Sequence, residues 1–356
     1  GKSLASIDLI KNIIFEEFYG DPNGLEGLAE EKWELIKANL RTRGQSIGLA
    51  TFYSHYWSSK YKKVTNAKLY DSFKTEFKKI KKPERKNEYI NFIKDLEKES
   101  KRYIQIIHPI LSEDYSNRQE YKWLLQSLES LNNDFGLVQT RIILLALLDI
   151  KEKELISNVK FKETIKYIEN FVFLYTGVAK KPANFYESSF SKIAISLRKS
   201  NSKSQTNQII DELLYKEFAK KEVTYQEFEK GFIALTYRKG RHSSNILTKY
   251  VIRKLSSHFN NEELFLPDNS IEHILNEVSS DPRTINIGNL INLETKLNHE
   301  ADSINFAEKK EIYEKSRNIQ LKKFMELYND FSVDQIENRA KNLSKLYYEE
   351  ILKKEI

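Results

Sequence analysis

The chain has no cysteine among its 356 residues, which excludes disulfides, thiolate zinc sites and a cysteine nucleophile. That absence fits a cytoplasmic protein, since no part of the fold relies on an oxidising compartment. Proline and glycine are scarce, at 6 and 11 residues, so helices can run with few interruptions and a mainly α fold is expected. No apolar run reaches the roughly 20 residues that a membrane-spanning helix needs, and no signal-peptide pattern opens the chain. No membrane partner is expected.

Charge and aromatic rings are abundant instead. The 58 basic and 51 acidic side chains leave a formal net charge of +7, which is compatible with a nucleic-acid partner. Many lysines stand beside glutamates at helical spacing, where solvated faces and local ion pairs account for them. The 20 Tyr, 20 Phe and 3 Trp mostly recur at helical spacing too, and read as core before they read as base-stacking platforms.

Helical periodicity runs through residues 1–262. Ser6 is a candidate cap for a stripe of Ile7, Ile10, Ile14 and Phe15, broken at Gly20–Gly24. A second helix is expected from Leu28 to Leu40 around Trp33. Leu49–Trp57 is aromatic, and its His55 reads as a packed residue. Later stripes run through Phe73 and Phe77, through Ile90 to Ile106, and through Trp123 and Leu128. Val138–Ile150 suits a buried helix by its length. The KKIKKPERK run is read as a solvated helix end stopped by Pro83. Tyr237–Asn245 is a basic loop whose Arg238, Lys239, Arg241 and His242 are candidate phosphate contacts. We expect boundaries at 262 and 318: a helical body, a small site-bearing unit at 263–318, and trailing helices at 319–356 that pack on the body.

The stretch from Ser270 to Ser316 can carry chemistry. Glu272 precedes His273, Asn289 follows sixteen residues after the histidine within Gly-Asn-Leu, and Asn298 nine after that. Hydrolysing a phosphodiester requires a nucleophilic water, an acceptor for its proton and positive charge near the phosphate. An imidazole titrates near neutral pH and can take the proton. A divalent cation can supply the charge, and magnesium prefers oxygen donors such as Glu272 and an asparagine carbonyl. Neighbours on a regular strand point to opposite faces, so Glu272 and His273 serve one point only if the strand ends there. Ile285–Leu293 reads as a second extended segment. Asn289 is placed either to tie a loop or to hold the imidazole. His299 and Asn305 are alternative donors to Asn298, and on spacing alone all these residues could equally be capping turns.

The stretch resembles the DUF1524 group of HNH nucleases, in the His-Me finger (ββα-metal) superfamily. The likeness rests on Ile271-Glu272-His273-Ile274, on Ile287-Gly288-Asn289-Leu290 with Leu293, on Asn298, and on Phe306, Lys309, Tyr313 and Ser316. It implies a multi-helical protein with a small C-terminal His-Me finger. Within that finger it implies His273 as general base, Asn289 as the residue that orders the site, and Glu272 and Asn298 as ligands of Mg²⁺ or Mn²⁺. Lys309 would approach phosphate, and His299 is the substitute metal ligand. Asn276 departs from the pattern, which often has proline there. The opening GKSLASIDLIKN and the later FYSHYW resemble the end of a DUF262 region and its helical continuation. Together these point to the GmrSD-like type IV restriction enzymes, which attack base-modified or phosphorothioated DNA in phage defence. Their DGQQR nucleotide motif is absent here, so a preceding nucleotide-using domain is the expected partner and no nucleotide site is assigned to these residues. The implied activity is a metal-dependent DNA endonuclease or nickase. A catalytically silent nucleic-acid-binding or regulatory protein and a metal-dependent RNase are the competing readings, and self-association is open.

Overall fold

A computed structural model describes residues 5–356; Gly1–Leu4, the first residues of the GKSLASIDLIKN segment, lie outside it. The described chain is mainly helical, with one two-stranded sheet among the described residues. Backbone contacts divide it into two units. The first comprises the chain up to Asn132, Leu137–Lys166 and Ala183–Lys221; the second comprises Asn133–Gly136, Tyr167–Pro182 and Glu222–Ile356.

The first unit contains α1 (Ser6–Phe18), α2 (Leu25–Asn39), α3 (Leu49–Lys60), α4 (Leu69–Phe77), α5 (Arg85–Ile107), α6 (Leu111–Asp114), α7 (Lys122–Glu129) and α8 (Thr140–Glu152). It also holds the start of α9 (Asn158–Val172), then α10 (Tyr186–Arg198), α11 (Lys203–Ile209) and α12 (Glu217–Ala219). α1 buries Ile7, Ile10, Ile14 and Phe18 on one stripe, and Ala5, rather than Ser6, occupies its N-cap position. α2 begins three residues before the expected Leu28, because Gly24 turns the chain at φ +74° and the Asp21 carboxylate accepts from the Leu25 amide at 3.3 Å. Pro83 does not end α4. It lies in the short turn Lys82–Glu84 that leads into α5, where a missing N–H costs nothing.

α3 buries Phe52, Tyr53, Tyr56 and Trp57. His55 Nδ1 lies 2.6 Å from the Tyr103 hydroxyl, which itself accepts from Arg141 at 3.1 Å. The hydroxyl therefore donates to Nδ1 and holds a neutral, packed imidazole, and burial lowers the His55 pKa to about 4. Deeper in this unit Arg198 grips Glu99 with two bonds of 3.0 Å, and Arg102 and Asp149 join the same buried ion cluster. Such a cluster joins α5, α8 and α10 in one register.

The second unit carries the C-terminal stretch. α13 (Tyr225–Ile233) was not apparent from periodicity; it opens on a capping box in which Thr224 and Glu227 satisfy each other's backbone amides. α14 (Asn245–Phe259) precedes β1 (Asn269–His273) and β2 (Leu290–Glu294), which pair antiparallel from Asn269↔Glu294 to His273↔Leu290. α15 (Thr295–Ala301), α16 (Phe306–Tyr313), α17 (Ile319–Leu327) and α18 (Ile336–Leu346) follow. The unit thus starts before residue 263 and runs past 318.

The hairpin is buried on both faces. Ile291 and Leu293 pack with Ile312, Tyr313, Leu321 and Phe324. Leu290 and Ile287 pack with Tyr250, Val251, Ala340 and Leu343 from the other side. The expected second strand is shorter than Ile285–Leu293. Ile285 instead closes a 3₁₀ turn, Pro282–Ile285, capped by Asp281, and Ile287–Asn289 forms a second one because the Asn286 side chain accepts from the Gly288 amide at 2.9 Å and curls the chain.

Candidate active site

β1 ends at His273, and the alternation of the strand separates the two residues of interest. Glu272 stands opposite Ile291 and faces α16, whereas His273 stands opposite Leu290 and faces the segment around Tyr237. Both are 3% exposed.

His273 Nε2 lies 3.0 Å from the Tyr237 carbonyl oxygen. A carbonyl can only accept, so Nε2 carries the proton and Nδ1 keeps its lone pair. The Tyr237 segment is itself fastened to the hairpin loop: its amide donates to the Ile285 carbonyl at 2.8 Å, and the Ile287 amide donates to Leu235 at 2.9 Å. Buried Asn245 closes the basic loop by accepting from the Arg238 amide at 2.9 Å and donating to the Arg238 carbonyl at 2.7 Å. Burial pushes the His273 pKa below the ordinary histidine value. The Tyr237 carbonyl and Glu277, 3.7 Å away, oppose that shift, while Lys239 and Lys309 reinforce it. At neutral pH the ring is neutral, with its basic atom fixed.

Glu272 Oε1 accepts from Lys309 Nζ at 2.6 Å and from the Tyr313 hydroxyl at 2.8 Å. Lys309, only 1% exposed, also donates to the His273 carbonyl at 2.7 Å. Its ammonium therefore points at the strand end rather than at solvent. Burial raises the Glu272 pKa, against the pull of Lys309 and Tyr313. Asn298 is half-buried on α15 and donates through Nδ2 to Ser270 Oγ at 2.8 Å and the Ile271 carbonyl at 3.0 Å, leaving its oxygen as the acceptor.

Asn289 is fully buried and ties the loop. Its oxygen accepts from the Leu275 amide at 2.9 Å, and its nitrogen donates to the Leu275 and Thr284 carbonyls, both at 2.7 Å. It does not hold the imidazole; Tyr237 does. His299 is exposed. Asn305 caps α16 in a capping box with Glu308, and Asn276 donates to the Ile304 carbonyl at 2.8 Å. Arg238, Lys239 and Arg241 are all exposed and follow Tyr237 in the chain; of the three, Lys239 acts electrostatically on the His273 ring. Lys239 is partly engaged: its ammonium pairs with Asp302 and its amide donates to Glu277 at 2.9 Å.

Sequence reasoning missed two contributors. The Tyr237 carbonyl has no sequence signal, because any residue offers one. Arg339 of α18 is buried and donates from Nη1 to the Gly288 carbonyl at 2.8 Å and the Leu290 carbonyl at 3.0 Å, and burial lowers its pKa to about 10. Gly288 makes this approach possible, since a Cβ there would overlap the Ile336 carbonyl.

Among the described residues no three His, Cys, Asp or Glu side chains form a metal cage. The donors that suit a hard cation are the Glu272 oxygen that carries no hydrogen bond among the described residues and the Asn298 oxygen. By donor type, one carboxylate and one amide oxygen completed by water and phosphate suit magnesium.

Residues 222–346 match the family described as GmrSD restriction endonucleases, C-terminal domain. The GmrSD match covers about a third of the chain and takes in α13 to α18, with the Tyr237 loop, the hairpin and Arg339 inside it. It supports a restriction-endonuclease C-terminal domain in the second unit, and with it nuclease chemistry on DNA. No curated protein matches the chain. Among the described residues no helix is long and apolar enough to cross a membrane.

Proposed function

We propose that the chain is a metal-dependent DNA endonuclease or nickase of a phage-defence restriction system, acting on modified DNA with His273 as its general base. The observation that carries this reading is the neutral imidazole at the end of β1. Its Nε2 proton is held by the Tyr237 carbonyl and its Nδ1 is left basic, within a region that matches restriction endonucleases.

In this reading Nδ1 takes the proton of the attacking water. The imidazolium that forms is favoured by the Tyr237 carbonyl and by Glu277, 3.7 Å from Nε2. Glu272 and Asn298 would hold Mg²⁺ or Mn²⁺ at the end of β1, where the strand stops and the neighbours Glu272 and His273 can serve one phosphate; when bound, the ion supplies positive charge at the phosphate and leaving oxygen. Lys309 positions Glu272 rather than the phosphate, and Asn289 fixes the loop between the strands. Arg238 and Arg241 meet the DNA backbone, where contacts position the duplex without reading its sequence. A preceding nucleotide-using domain is the partner that would regulate cutting.

The reading is tested with DNA and RNA duplexes of one sequence, the DNA with and without modified bases, in Mg²⁺, Mn²⁺ or EDTA. DNA cut only with metal, and faster when modified, is the expected result. Faster RNA cutting would replace it by the RNase reading, and binding without cutting by the silent one.

A further inference from the structure

A cavity of about 820 Å³ lies wholly within the second unit, and neither the sequence reading nor the family match assigns it. Its volume falls in the range of small-molecule pockets. Phe135 and Leu247 line it with apolar surface, and Lys180 and Lys230, both exposed, are cationic residues of the same lining. Neither lysine has an ion-pair partner among the described residues. The acids on the wall are committed elsewhere. Glu227 serves the capping box and pairs with Lys181 at 3.0 Å, and Asp134 has a partner of its own.

The position of the cavity adds a functional link. Leu235 and Thr236 form part of its wall, and the next residue, Tyr237, holds His273. Leu235 and Tyr237 are also bonded through their backbones to the hairpin loop. The back wall is built tightly: Gly231 of α13 meets the wide helical turn Phe173–Val178 so closely that a Cβ would overlap the Val178 carbonyl. An occupant of this cavity therefore touches the segment that orients the proposed base.

We propose that this cavity takes a single nucleotide, its ring against Phe135 and Leu247 and its phosphate at Lys180 and Lys230. A ring-bearing anion satisfies both the apolar lining and the unpaired cations, which an apolar ligand or a bare phosphate does not. Two sources share that chemistry: a nucleotide swung out of the DNA strand, which rests on the nuclease reading above, and a free nucleotide.

The test uses the full chain in EDTA, so that nothing is cut. A duplex with one 2-aminopurine reports ring extrusion by fluorescence, an end-label on the same duplex reports overall binding by anisotropy, and free deoxyadenosine monophosphate is titrated calorimetrically. Leu247→Trp fills the cavity. The pair Lys180→Glu and Lys230→Glu leaves the fold intact, because both side chains are exposed. A 2-aminopurine rise on binding that is lost in both variants supports the proposal with DNA as the source. Binding of the free nucleotide that weakens by about tenfold or more in both variants, with no rise on the duplex, supports it with a free nucleotide. No rise and no nucleotide binding, or signals indifferent to the variants, overturn it. Failure of the nuclease reading shows separately, as cleavage assays in Mg²⁺ that stay negative while the cavity signals persist.

Discussion

His273 and its neighbours set the pH behaviour of the proposed reaction. Burial, helped by Lys239 and Lys309, holds its pKa below the ordinary histidine value of about 6.5. A general base must be unprotonated, so the acid limb of kcat/KM is expected below pH ~6.5. Lys239→Gln removes one of the cations that depress it and should move that limb upward; a limb that stays put would exclude Lys239 from the site's field. Lys309 makes a different prediction. Lys309→Met leaves Glu272 buried without its counter-charge, which should cost about 3–5 kcal/mol in urea unfolding. Adding Glu272→Gln should recover much of the loss. His55 bears on stability alone. Its native pKa of about 4 lies below the unfolded value of about 6.5, so between those values the unfolded chain binds a proton that the native chain refuses. Its contribution is full above the upper value and is lost as pH falls toward the lower one. His55→Asn should flatten thermal stability across that window.

At the scale of elements, the local signals in the sequence mark where helices occur and leave their limits to side chains that act on the backbone. The stripe of α1 is legible because Ile7, Ile10 and Ile14 repeat at helical spacing. The start of α2 is not, because it depends on Gly24 turning left-handed and on Asp21 reaching back to Leu25. INIGNLINL reads as a strand by its β-branched residues, yet Asn286 turns its first half into a 3₁₀ bend. Strand alternation indicated that Glu272 and His273 diverge unless the strand ends there, and β1 does end at His273; which partner each would meet was not legible. Lys309 shows this most clearly. Its place in the motif suggested phosphate, and its burial directs it to Glu272. Gly288 is the element-scale test. Gly288→Ala forces α18 away from the loop, because the new Cβ overlaps Ile336, and should cost about 1–3 kcal/mol or more. The same shift withdraws Arg339 from the carbonyls of Gly288 and Leu290, so cleavage should fall further than stability alone predicts.

On the scale of the whole molecule, composition indicated a helical chain with surplus positive charge, and the family match at residues 222–346 takes in the C-terminal stretch in which the motif was read. The make-up of the second unit was not. It gathers Asn133–Gly136 and Tyr167–Pro182 with the C-terminal part of the chain, and no local pattern announces that segments so far apart in sequence share a core. The net charge of +7 predicts salt-sensitive DNA binding. Lys239 already has Asp302, so Arg238 and Arg241 should carry most of the loop's share. Replacing both by Gln is expected to reduce the slope of log K against log salt by about 2, with little change in Tm.

The most direct test of His273 as the base is the rate of plasmid nicking in Mg²⁺ or Mn²⁺ by the intact chain and by His273→Ala, the latter with and without added imidazole. The account predicts metal-dependent nicking that falls by about 10²-fold or more in the variant and returns in part when imidazole enters the vacated space. A variant that nicks as fast as the intact chain would contradict it.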